Sequence, residues 1–158
     1  MNYLEQLVQQ YYEWKGCVVK ANIKVGRLRH GGYAGELDVV IFDPKRNRII
    51  HYEPSTDAAG WKERIPKYRR KFALGRKYIH KVVFPWLPKR LPIEQIAVFF
   101  NADGRKFLSG KAISIDMLVK KIRVEIEEVG PLGANAIPES YNILRTIQLV
   151  VCGYRKPL

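Results

Sequence analysis

Two acids stand inside otherwise apolar strands, and that pairing constrains the chain more than any other feature. Gly35-Glu36-Leu37-Asp38-Val39-Val40-Ile41-Phe42-Asp43 alternates as a strand does, with Leu37, Val39 and Ile41 out of phase with Glu36, Asp38 and Val40. Asp43-Pro44-Lys45-Arg46-Asn47 has turn chemistry, with Pro presetting the backbone. Ile49-Ile50-His51-Tyr52 resumes an extended run of β-favouring residues and leads into Glu53. The stretch predicts a hairpin with Asp38 on one arm and Glu53 on the other. Carboxylates are rarely buried unless they are paired or bound to a metal. Two of them near the same strand ends offer hard oxygen ligands to an ion of the Mg²⁺ kind.

The charge balance says what such a site would meet. Lys and Arg number 28 against 15 Asp and Glu, a net charge of +13 in 158 residues. That excess favours a polyanionic partner, most simply nucleic acid. The competing reading is a generically basic protein docked on an acidic protein or RNA assembly, and no motif points to it. The length suits a single domain over residues 1–158 with a sizeable core. Cys17 and Cys152 lie far apart in apolar strings and read as buried thiols of a reducing compartment. No signal-type segment opens the chain and no apolar run is long enough to span a bilayer. The expectation is a soluble, cytoplasmic protein with no membrane partner.

The rest of the chain reads as alternating helices and strands. Leu4, Leu7, Val8, Tyr11 and Tyr12 form the stripe of a helix over 3–15, stopped by Gly16. Glu5, near its start, is either a first-turn acid favoured by the helix dipole or a member of the site. Cys17 to Val25 reads as a strand. The loop from Gly26 to Gly35 is rich in glycine and carries Arg27, Arg29 and His30, which suits contact with a nucleic-acid backbone. Ser55-Thr56-Asp57 offers a helix N-cap. The segment from Trp61 to Tyr78 follows, with Trp61, Ile65, Tyr68 and Phe72 at helical spacing and Pro66 marking a first turn or a kink. Its basic residues Lys62, Arg69, Arg70 and Lys71 are expected to hold phosphates. Val82 to Pro88 reads as a proline-broken loop, Ile96 to Phe100 as a buried strand, and 114–128 and 140–151 as helices. The fold class is α/β, a central mixed sheet of about four or five strands flanked by helices. The three tryptophans are expected in the core. His51 is read as a packed polar residue directed away from the side of Glu53.

Taken together, the pattern resembles the active-site core of the PD-(D/E)XK nuclease superfamily, whose fold is restriction-endonuclease-like. The order of helix, strand, Gly35-x-Leu37-Asp38 strand, acid-bearing strand and basic helix is similar to its Holliday-junction-resolvase-like branch. The likeness covers roughly residues 3 to 80. It implies Asp38 and Glu53 as ligands of Mg²⁺ or Mn²⁺, with Glu5 as the acid of the first helix. It also implies a lysine two residues after Glu53, but that place holds Ser55, set off by Pro54. In superfamily members whose lysine has moved, it sits on the following helix. Lys62 is then the first candidate and Lys67 the second, with Ser55 left to position water. The implied activity is metal-dependent hydrolysis of DNA by an endonuclease, as a homodimer where both strands are cut. The alternative is a catalytically inactive nuclease-like nucleic-acid-binding module, in which Ser55 records the loss.

Overall fold

The computed structural model describes residues 2–155. Helix α1 (Tyr3–Trp14) leads into strands β1 (Val18–Arg27), β2 (Tyr33–Asp43) and β3 (Arg48–Pro54). Helix α2 (Trp61–Tyr78) runs into a π-helical turn at Ile79–Val83. Strands β4 (Ile93–Phe99), β5 (Lys106–Phe107) and β6 (Gly110–Ser114) and helices α3 (Ile115–Val129) and α4 (Asn142–Cys152) complete the described residues. The architecture is α/β. A six-stranded sheet in the order β1-β2-β3-β4-β6-β5 is flanked by helices on both faces. Strand β4 runs parallel to β3 and β6, and the remaining pairs are antiparallel, so the sheet is mixed. The count exceeds the expected four or five because β5 and β6 are short. Neither holds enough alternating residues to register as a strand against its turns.

The alternation in the hairpin divides its side chains between two cores. Val39, Ile41, Ile50 and Tyr52 pack with Ile96 and Val98 under α1, α3 and α4. Val40 and Ile49 face the other way, toward the π-helical turn. Farther along that second face, Tyr68 and Phe72 of α2 meet Ala97, Phe99 and Ala112. Full burial of a Val or Ile side chain contributes about 1.5–3 kcal/mol, so each face holds its helices strongly.

Helix α2 begins later than Ser55-Thr56-Asp57 suggests. The Ser55 hydroxyl accepts from Asp57 N at 3.0 Å, and Asp57 Oδ1 accepts from Ala59 N at 3.0 Å, so these residues shape a loop. Gly60 is the N-cap, and its N–H donates to Glu63 Oε2 at 2.9 Å. Pro66 lies inside the helix. The buried stripe of α2 is Arg64, Tyr68, Phe72 and Gly75, so Tyr68 and Phe72 are buried as expected while Arg64 takes the place expected of Ile65. Gly75 is buried there because a Cβ would overlap the His51 ring and the Gln95 amide. A glycine inside a helix costs about 1 kcal/mol against alanine, which here offsets a clash.

Two other expectations change. Trp86 is 60% exposed, edge-on to Phe84 with the Lys20 ammonium 5.3 Å from its ring centroid, whereas Trp14 and Trp61 pack against the cores. Cys17 and Cys152 are free but only half-buried. Among the described residues, no helix is long and apolar enough to cross a membrane.

Candidate active site

Strand register brings the two acids together. The β2–β3 ladder ends at the pair Val39 and Tyr52, and Asp38 and Glu53 occupy the next step. There the Asp38 N–H turns to the Glu53 side chain, meeting Oε1 at 3.4 Å. Both acids are buried, Asp38 at 8% exposure and Glu53 at 0%. On the other side of β2, the β1 ladder pairs Ala21 with Val39 and Ile23 with Leu37, and skips Asn22 opposite Asp38. Asn22 has φ +52°, in the left-handed region that costs most residues strain and that asparagine tolerates best. The sheet is thus locally irregular on the strand beside Asp38, as backbones at functional sites often are.

A cation lies between the carboxylates, and it comes from α2. Lys71 Nζ donates to Asp38 Oδ2 at 2.9 Å and to Glu53 Oε2. Lys71 follows Tyr68 by three residues and precedes Gly75 by four, which puts it on the sheet-facing flank of the helix. The expected donors are elsewhere. Lys62 is exposed, and Lys67 pairs with Asp57 Oδ2 at 3.3 Å. Lys71, which the sequence assigned to phosphate binding alone, holds the position expected of Lys62 or Lys67. Ser55 is turned into its loop. Burial pushes the nearby Tyr68 phenol up, with the Ser55 hydroxyl acting against it.

Three charges then share one partly dry site. Burial would lower the Lys71 ammonium, but the Glu53 and Asp38 charges outweigh it and hold it above its ordinary value. Burial would raise Glu53, yet its bond to His51 and the Lys71 charge keep it below the ordinary carboxylate range. Burial pushes Asp38 up, the Glu53 charge adds to this, and Lys71 opposes it. One ammonium does not fully neutralise two adjacent carboxylates, and Asp38 carries the deficit.

Glu53 has a second partner that the sequence reading misplaced. Residues two apart in a strand share a face, so His51 points to the same side as Glu53. His51 Nε2 lies 2.7 Å from Glu53 Oε1, and both side chains are fully buried. Gln95 of β4 bonds His51 Nδ1 from Nε2 at 3.1 Å. The signal for His51 was in the sequence, as strand parity. Gln95 had none, because only the parallel β3–β4 pairing sets it opposite His51.

Glu5 stands apart. Its carboxylate accepts from Asn2 N at 3.2 Å and Asn2 Nδ2 at 2.6 Å, and Asn2 Oδ1 accepts from Leu4 N and Glu5 N. It is the return arm of a capping box at the start of α1. Among the described residues, no group of three or more His, Cys, Asp or Glu is arranged to hold a metal ion. The donor set that does converge is two carboxylates. That suits Mg²⁺, which keeps several waters and takes one or two protein carboxylates along with substrate phosphates.

A cleft of about 670 Å³ opens over Asp38 and Lys71. Glu36 and Gly35 of β2 form one wall, and Pro66, Lys67, Arg70 and Leu74 of α2 form the other. Arg70 crosses it, donating to Ala34 O at 2.7 Å. Arg27, Arg29, Lys62 and Arg69 are exposed. Arg70 is also exposed and bonds Ala34 O, while Lys71 bonds the two acids. Compared with known protein families and with curated proteins, the chain matches none.

Proposed function

We propose that the protein is a metal-dependent nuclease of PD-(D/E)XK type that hydrolyses phosphodiester bonds in DNA. The observation that carries this reading is the Lys71 ammonium, bonded to both Asp38 and Glu53 beside a cleft whose α2 wall carries Lys67 and Arg70. It supplies the positive charge that Ser55 cannot. Asp38 and Glu53 would hold Mg²⁺ or Mn²⁺, which when bound supplies charge neutralisation at the phosphate and an activated water. Lys71 would donate to the charge that builds on the phosphoryl oxygens, from a position already fixed by two carboxylates. Lys67 and Arg70 of the cleft wall and the exposed Arg27 and Arg29 would hold the flanking backbone without reading its sequence. One such site cuts one strand, so double-strand cutting would take two copies of the chain. DNA as substrate fits a cytoplasmic enzyme.

The test is a cleavage screen on labelled duplex, junction and single-stranded DNA with Mg²⁺ or Mn²⁺, run on the parent, Asp38→Ala and Lys71→Ala. Metal-dependent cleavage by the parent, lost in both variants, supports the reading. Absence of cleavage from the parent on every form, or cleavage that survives both substitutions, overturns it.

A further inference from the structure

Behind Glu53 lies a hydrogen-bonded chain that a nuclease site does not by itself require. Glu53, His51 and Gln95 are all buried, at 0%, 0% and 1% exposure. The amide of Gln95 can face only one way. Its Nε2 donates to the Phe72 carbonyl at 2.8 Å, and its Oε1 accepts from Arg76 Nη1 at 2.9 Å and Ser109 Oγ at 2.6 Å. Reversed, it would set N–H groups against a guanidinium and an oxygen against a carbonyl. The second Nε2 hydrogen is therefore left for His51 Nδ1, 3.1 Å away, which must accept. An imidazole that accepts at Nδ1 carries its hydrogen on Nε2, and Nε2 faces Glu53 Oε1 at 2.7 Å. Each polar side-chain atom of the three residues then has a partner of the right kind.

We propose that His51 and Gln95 are positioning residues for Glu53. Gln95 holds His51 in the Nε2–H form, and His51 occupies Glu53 Oε1 from behind, so that Oε2 is left to Lys71. The metal-binding purpose of this arrangement rests on the nuclease reading, while the hydrogen-bond directions do not. Partners of this kind behind a ligating carboxylate fix its orientation, and losing one weakens metal affinity by about 10–100-fold. The closeness of α2 belongs to the same arrangement, because Gly75 leaves room for the ring where any side chain would overlap it. The plainer reading is a buried polar network that only specifies the core. It requires the same ring form but makes no demand on cation affinity.

Two measurements on the full chain test the proposal. The long-range ¹H–¹⁵N spectrum of the parent should show His51 with a pyrrole-type Nε2 and a pyridine-type Nδ1. The opposite assignment overturns the proposal whatever the protein does with metal. Titration with Mn²⁺ alone should then show His51→Phe and Gln95→Met weakened about 10–100-fold. His51→Gln, whose amide N–H can still turn toward Glu53, should recover most of the loss. Variants that bind Mn²⁺ as the parent does overturn the positioning claim and leave the nuclease reading standing. A parent that binds no Mn²⁺ removes the nuclease reading, and the ring assignment alone then decides for or against His51 as the donor to Glu53.

Discussion

The Lys71 ammonium meets the Glu53 carboxylate across eighteen residues of chain. The same ammonium meets Asp38, thirty-three residues away, at 2.9 Å. A loop, a helix start and more than two helical turns separate the acid from its cation, so neither contact is local.

The first expectation concerns which lysine matters. Lys71→Met should cut metal-dependent cleavage by about 10²–10³, the usual cost of one electrostatic group at a reacting phosphate or carbonyl. Lys62→Met should leave the rate at saturating DNA unchanged, its cost confined to DNA affinity. Lys67→Met should change it little, since its ammonium is spent on Asp57. Circular dichroism melts of the three variants separate a catalytic loss from unfolding. A Lys67→Met variant as impaired as Lys71→Met would remove the assignment.

The second concerns the acids. In Mn²⁺ titrations followed by electron paramagnetic resonance, Asp38→Asn and Glu53→Gln should each abolish tight binding. Glu5→Gln should bind as the parent does, because its carboxylate closes the α1 capping box. Its stability in urea should also stay close to the parent's, because glutamine at this position still completes a capping box. Metal affinity that falls with Glu5→Gln would return this residue to the site.

The third concerns DNA. Log affinity should fall linearly with log salt, with a slope of about −0.9 for each phosphate neutralised. Reversing the exposed Arg29, Lys62 and Arg69 to Glu should flatten that slope by several phosphates. Reversing Lys120 and Arg123 on α3, across the sheet, should leave it close to the parent's. Fluorescence anisotropy over a salt series reads both, and equal flattening by the two sets would place the binding surface elsewhere.

The fourth concerns pH and the β2–β3 turn. Burial would raise Asp43, but the backbone N–H groups of Arg46 and Lys45 and the Arg46 guanidinium hold it below the ordinary carboxylate range. A lowered folded-state value means stability that is complete above the unfolded value and is lost as pH falls through the folded one. The parent should lose this contribution below about pH 4, where an unfolded aspartate takes up its proton. Asp43→Asn keeps the turn acceptor but not the charge, so its acid limb should be flatter. Asp43→Ala should cost about 1–3 kcal/mol at neutral pH through the lost turn bonds to a charged acceptor. Identical acid limbs for parent and Asp43→Asn would refute the assignment.

The hairpin was readable because its signals are local. Alternation through Val39 and Ile41, a Pro44 turn and an acid on each arm need no knowledge of the rest of the chain. Register then carries Asp38 to Glu53 without further information. The first turn of α2 is less readable, because nothing in its spacing says that Arg64 rather than Ile65 is buried beside Tyr68 and Phe72. Lys71 reads as one more phosphate-binding cation of a basic helix, because its two acidic partners lie eighteen and thirty-three residues away. The strands β5 and β6 were missed for want of length, and Gln95 because a parallel neighbour leaves no trace in spacing. Strand parity alone places His51 on the side of Glu53.

The absent side chain at Gly75 has a consequence for how α2 can move. A helix resting on larger residues can roll about its axis and trade one contact for another. Here a buried imidazole sits in the notch at Gly75, so rolling in either direction drives helix atoms into the ring. Lys71 is one turn earlier on the same rod and inherits its fixed azimuth. Any partner or substrate that pulls on α2 must then slide it along its length or lift it whole, and either motion carries the root of the Lys71 side chain away from both strands that bear its acids.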